Sequence, residues 1–254
     1  MDKSTGHKDF MKDKFGKITR YYDLANSICS FWQDKGWRKE VSQALDEVDP
    51  PILDLCCGPY TLTLEILKRK KRIALGLDQG VPRYAREDRM GKKRIAFALD
   101  LSREMLKFGL TKRAPDLSFV YPVCGDAEEL PFKDETFGAV TIAFGFRNLV
   151  NRGKALQEMH RVLKKYGLLA ILEFSKPKLP IIRNVYFFYL KKIIPLIGGL
   201  LTGDYQAYRY LATSIENFPE VETVREMLRK TGFSEVFTKS LTFGVVTLYL
   251  WRKI

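Results

Sequence analysis

Residues 52–64, ILDLCCGPYTLTL, bring an apolar run to an acid, Asp54, then pass through Cys56, Cys57, Gly58, Pro59 and Tyr60 into a helical pattern. An apolar run, a tight turn and a helix start are the parts of a first βα unit in a nucleotide-binding sheet. The free N–H groups and partial positive charge of such a helix start suit a carboxylate or ribose hydroxyls. Only one glycine, Gly58, stands in the turn, so a buried strand-turn-helix with no ligand fits the stretch equally well. Further acids close later apolar runs: Asp78 in RIALGLD (72–78), Asp100 in RIAFALD (94–100), and Asp126 after the run 117–124. An acid ending the second strand can take both hydroxyls of a ribose, because two carboxylate oxygens match two vicinal O–H donors. Asp126 can accept from an exocyclic amino group while Ala127 offers a backbone N–H. The competing role for each acid is helix capping, but three acids at corresponding strand ends favour a ligand.

Positioning these acids requires alternating strands and helices. Helix is expected over 62–70, 102–112 and 151–165, the last ended by Gly167, and strands over 117–124, 137–144 and 168–174. Both 72–78 and 94–100 read as strands, with 79–93 between them as an inserted excursion. Alternation of this kind predicts a mostly parallel sheet covered on both faces. Residues 1–14 read as a charged lead-in and 15–50 as two aromatic-rich helices capping the core. The core itself spans 51–177. The rhythm breaks at 178–217, where LPIIRNVYFFYLKKIIPLIGGLLTG is apolar and interrupted by Pro195, Gly198 and Gly199. A helix from Pro219 and a strand hairpin over 233–239 and 244–251 close a single domain of 15–254.

Composition narrows the function classes. Of the 254 residues 46% are apolar and 29% charged, which supports a packed core rather than disorder. Four cysteines without a C-x-x-C pair, and two histidines, argue against a disulfide framework or a metal site and for a reducing, cytoplasmic setting. No apolar run reaches the ~18–20 residues of a membrane span, and the charged N-terminus is unlike a signal peptide. The net charge of +13 suits nucleic acid, anionic lipid or an acidic partner, or simply lysine-rich helix faces. His160 falls on a helix that reads as surface and is assigned no chemistry.

Taken in order, YDLAN (22–26), WR (37–38), LDLCCG (53–58), LDLSREML (99–106), GDAEELPFKDETF (125–137), FGFRN (144–148), RVLK (161–164), LEFSKP (172–177) and SIENFP (214–219) resemble the ubiquinone/menaquinone-biosynthesis C-methyltransferases over about residues 15–252. The resemblance implies a class I methyltransferase: a Rossmann-like, mostly parallel seven-stranded α/β sheet using S-adenosylmethionine to methylate a ring carbon of a polyprenylated quinol such as demethylmenaquinol. It places the cofactor against Asp54, Cys56, Cys57, Gly58, Tyr60, Asp100, Leu101, Asp126, Ala127 and Ala143. Asp78 lies 20 residues past Gly58, the expected interval for the ribose acid, while the local match LDLSREML favours Asp100. Where the family carries Gly-Thr-Gly-Asp, this chain has Gly58-Pro59-Tyr60-Thr61, so the Tyr60 ring must point away, stack on the ligand or block the site.

The sulfonium methyl of that cofactor is already electrophilic, so the protein's task is to make the acceptor carbon nucleophilic. Arg147 in FGFRN is the expected group to hold a developing phenolate or order a water that takes its proton, and Asn148 to hold the second ring oxygen. A purely structural ion pair is the competing role for Arg147. Tyr22, with Asp23, is expected to close over the methionine end, or to pack as a core aromatic. The apolar 180–202 stretch would admit the isoprenoid tail, with Lys191 and Lys192 facing lipid phosphates. Transient contact with an anionic membrane surface at the inner face, a homodimer, and no bound metal or nucleic acid complete the expectation. Two other readings stay open: a non-enzymatic lipid- or partner-binding protein whose cofactor site Tyr60 disables, and a methyltransferase for nucleic acid or another small molecule.

Overall fold

The computed structural model describes residues 6, 27, 30, 32–74, 96–113 and 117–254. Helix α1 (Gln33–Ala44) precedes strand β1 (Ile52–Leu55), which runs into α2 (Thr61–Ala74). Strand β2 (Ala96–Asp100), helix α3 (Arg103–Arg113) and strand β3 (Val120–Cys124) follow. Strand β4 (Phe137–Ala143) leads through a 3₁₀ turn (Phe146–Asn148) to α4 (Arg152–Val162) and the long β5 (Leu163–Phe174). Then come α5 (Pro180–Phe188), a π turn (Tyr189–Ile193), α6 (Ile194–Thr202), α7 (Tyr205–Glu216) and α8 (Val221–Lys230). The hairpin of β6 (Phe233–Leu241) and β7 (Val246–Lys253) ends the sheet.

The seven strands lie in the order β3-β2-β1-β4-β5-β7-β6. β3 through β5 are parallel, and β7 pairs antiparallel with both β5 and β6. The order reverses between β1 and β4, so their carboxyl ends flank the crevice where open α/β sheets hold ligands. β1 is buried at every position, as a central parallel strand must be. One apolar layer lies between the sheet and α4 and α8, with Leu156, Met159, Val224 and Leu228 meeting Phe137, Val140 and Trp251. A second gathers Trp37, Val41 and Ile66 of α1 and α2 over Ile52, Ala170 and Leu248.

Several boundaries differ from expectation. Residues 72–74 continue α2 rather than starting a strand, while 75–78 lie outside the described residues. The helix expected to run to 165 stops at Val162, and Leu163 already pairs with Phe137 of β4. Tyr166 takes a left-handed φ of 64°, which a continuing right-handed helix cannot hold, so the chain passes into the sheet. The Lys253 ammonium donates to Leu163 O at 2.8 Å and fixes that strand entry. His160 is not on an open surface: its ring packs edge-on against Phe233 at 5.1 Å.

Candidate active site

The turn after β1 carries positive φ at every second residue: Cys56 at 51°, Gly58 at 53° and Tyr60 at 65°. Only glycine adopts this region freely, and each side chain there costs about 1–2 kcal/mol, so packing must hold the other two in place. Tyr60 is fully buried, its ring lies against Gly109 of α3 where a Cβ would collide with it, and its hydroxyl donates to Leu106 O at 3.2 Å. The ring therefore points away from the crevice; as a ligand contact the side chain is a correction to the sequence expectation. Cys57 is likewise corrected: its N–H donates to Leu99 O at 3.1 Å and its thiol is buried beside Tyr60. Cys56 reaches the other way and packs on Gly145, where a Cβ would collide with it, tying the β1 turn to the β4 turn. Burial pushes both thiols well above the usual range, so neither is a ready thiolate.

The acids divide. Asp54 is sealed between β1, β4 and α2, accepting from Thr63 Oγ1 at 2.5 Å and Thr141 Oγ1 at 2.8 Å. Burial raises its pKa to about 6, and the two hydroxyls only partly oppose that rise. Asp54 is thus an interior brace rather than a ligand-facing acid, a third correction. Asp100 stands at the tip of β2, half-buried, with Oδ2 accepting from Gly58 N and Oδ1 from Ser102 N, both at 2.8 Å. Each oxygen keeps a lone pair, so the carboxylate is aimed by backbone yet can still receive two hydroxyl donors. Ser102 caps α3 through Met105 N at 3.3 Å, with Leu101 in the bend between. Asp126 lies past β3 with Oδ1 accepting from Glu128 N at 2.9 Å, while the Ala127 side chain is buried in the core. Asp78 and Tyr22 lie outside the described residues.

Beyond β4, past Ala143 and the left-handed Phe144 (φ 59°), the 3₁₀ turn presents Arg147 and Asn148. Arg147 is nearly buried and pairs with Glu173 of β5, which is fully buried, through Nη1 and Oε1 at 2.7 Å. Glu173 Oε2 also accepts from Arg147 N at 3.0 Å. Arg147 Nη1 donates to Phe144 O at 2.5 Å and Nε to Ser214 Oγ at 3.2 Å, and the guanidinium stacks 5.4 Å over the Phe174 ring. Nη2 makes no hydrogen bond among the described residues. Tyr210, one turn before Ser214 on α7, donates to Asn148 Oδ1 at 3.3 Å. Arg152 binds Phe146 O at 3.2 Å and Arg147 O at 2.7 Å and closes the turn from below. Glu173, Ser214 and Tyr210 were not read from sequence as functional. The only trace was an acid inside the apolar LLAILEF run and two polar side chains four apart on a helix.

The crevice thus joins a carboxylate able to receive paired hydroxyls on the β2 side and, on the β4 side, a guanidinium whose Nη2 makes no hydrogen bond among the described residues. The donor set around Asp100 and the Gly58 turn fits the ribose of an adenosyl group, and the turned-away Tyr60 leaves that approach clear. The chain matches the model of the ubiE/COQ5 methyltransferase family over residues 2–253. It is 39% identical over 238 residues to the demethylmenaquinone methyltransferase of Thermotoga maritima, covering 93% of each chain. It is 37% identical over 254 residues to the ubiquinone/menaquinone biosynthesis C-methyltransferase UbiE of Rickettsia felis, covering 98% of this chain and 95% of that one. Among solved structures, a SAM-dependent methyltransferase from Aquifex aeolicus shares the fold, with a TM-score of 0.56 at 16% identity over 85% of this chain and 89% of that one.

Proposed function

The chain belongs to the ubiE/COQ5 methyltransferase family and is an enzyme that uses S-adenosylmethionine, and we propose that its acceptor is a ring carbon of a polyprenylated quinol. The observation that supports this reading best is Arg147, a nearly buried guanidinium just past β4 whose Nη2 makes no hydrogen bond among the described residues. The cofactor, when bound, supplies an electrophilic methyl that needs no further activation. Asp100 receives the ribose hydroxyls on the lone pairs that Gly58 and Ser102 leave, with Leu101 next to it and Ala143 across β1 at the end of β4. Asp126 and the Ala127 N–H hold the adenine edge.

On the acceptor side, a quinol hydroxyl must lose its proton to push electron density onto the neighbouring ring carbon. Phenols ionise near pH 10, so the oxyanion needs a fixed positive partner. Arg147 Nη2 donates to that oxygen, and the proton leaves to water. Asn148, held through its carbonyl end by Tyr210, stands beside Arg147 on the same turn to face the second oxygen. The neighbouring ring carbon would then be nucleophilic enough for the cofactor's methyl, the C–S bond's electron pair staying on sulfur and the ring proton passing to water as aromaticity returns.

The helices α5 and α6 carry the tail-facing part of this reading. Ile181, Val185 and Phe188 share one face of α5, and Leu196 and Leu200 one face of α6, all exposed, with Ile181 and Leu200 at 81%. Exposed Lys192 flanks them, while Arg183 is paired with Glu220 at 3.7 Å and Lys191 with Glu216 at 2.7 Å. Such a face rests on an anionic bilayer, from which the quinol tail enters. No helix among the described residues is long and apolar enough to cross a membrane. The test is expression in a strain lacking its quinone methyltransferase, with mass analysis of its lipids. Restored methylated quinone supports the reading; unmethylated precursor alongside folded, cofactor-binding protein refutes the acceptor.

A further inference from the structure

Tyr186 projects from α5 into the cluster of Leu190, Ile194, Tyr208, Ala212 and Ile215. Its hydroxyl is wholly buried and has no hydrogen-bond partner among the described residues. A buried hydroxyl without a partner is unfavourable, and phenylalanine would fill the same space without that penalty. The position is not remote from the chemistry. Phe174, whose ring carries the Arg147 guanidinium, packs against the same cluster. The phenol also feels the charges of both Arg147 and Glu173 while burial raises its pKa. Tyr210 approaches the same turn from α7 and is already engaged with Asn148. Of these two phenols flanking the 3₁₀ turn, Tyr186 is the one whose hydroxyl is orphaned.

We propose that the Tyr186 hydroxyl is a substrate-binding group, donating a hydrogen bond to an oxygen of the aromatic acceptor. This rests on the quinol reading above and adds to it a named group for the acceptor. It gives α5 two faces with two tasks: the outer residues meet the tail's environment, and Tyr186 meets the ring.

The experiment compares wild type with Tyr186→Phe for thermal stability, for S-adenosylmethionine affinity by calorimetry, and for kcat/KM on a short-chain demethylmenaquinol. The expected variant has an unchanged or higher melting temperature, cofactor affinity within twofold, and kcat/KM lower by about tenfold, one lost hydrogen bond. A lower melting temperature would show that the hydroxyl already has a structural partner and would overturn the proposal. So would kcat/KM within twofold of wild type. Wild-type protein that binds cofactor but methylates no quinol would remove the acceptor reading, and this proposal with it; an active wild type with an unaffected variant removes this proposal alone.

Discussion

Arg147 and Glu173 depend on each other. Replacing the arginine alone strands a fully buried carboxylate, an error of about 3–5 kcal/mol. Arg147→Ala is therefore expected to melt well below wild type, and lost activity in it would be ambiguous. The pair Arg147→Met with Glu173→Gln removes both charges, and is expected to recover most of the stability while leaving methylation undetectable. Activity in that folded double variant would remove Arg147 from the mechanism. Asp54 offers a pH test. Its pKa rises from 3.8 to about 6 on folding, so the stability it contributes is full below 3.8 and is lost as pH climbs through 6. That shift corresponds to about 3 kcal/mol. Relative to wild type, Asp54→Asn should gain about that much between pH 4 and pH 7 in denaturant titrations; a difference flat with pH would contradict the assignment. At this scale the sequence placed Asp100, Asp126, Arg147 and Asn148 at or just past the ends of strands, where they stand relative to β2, β3 and β4. It did not show that Asp54 faces inward, because its partner Thr141 lies 87 positions away. Glu173 was missed for a related reason: its partner is set by strand register, which no local pattern displays.

Tyr60 and Gly109 couple the turn after β1 to helix α3. In an ordinary helix interior Gly→Ala stabilises by up to about 1 kcal/mol. Here the added methyl meets the Tyr60 ring, and Gly109→Ala should instead destabilise by about 1–3 kcal/mol. In a Tyr60→Ala background that penalty should largely vanish, a coupling that a double-mutant cycle in urea would measure. Additive losses would mean the two residues do not share the space described. Sequence spacing exposed the departure from a glycine at position 60, but the direction of the ring depended on a gap left by a residue 49 positions later. The α5–α6 face makes a second prediction. Ile181→Gln with Leu200→Gln is expected to cut binding to vesicles of anionic lipid at least tenfold in cosedimentation, with the fold unchanged by circular dichroism. The apolar character of this segment was plain in its composition, whereas its division into an inner and an outer face required the helices to be placed.

The molecule as a whole joins a parallel half, β3 through β5, to an antiparallel edge carried by β7 and β6. Alternating strand and helix patterns made the parallel half readable, and the terminal hairpin followed from its two short apolar runs. Cofactor bound at one hundred times its Kd should add about 2.7 kcal/mol, a rise in melting temperature of roughly 5–10 °C. Asp100→Asn should shrink that rise to within error; an undiminished rise would dismiss Asp100 as the ribose acid. The net charge of +13 adds a long-range term, so attachment to anionic vesicles should weaken steeply as salt rises from 50 to 300 mM. The pairing of β5 has its own consequence during synthesis. Leu168 to Phe174 match Val246 to Arg252 along their full length, about eighty residues downstream. A polypeptide still emerging from the ribosome therefore holds its oiliest ribbon open on one flank until residues 246–252 arrive, which makes the late stage of translation the moment when neighbouring nascent chains are most prone to stick together.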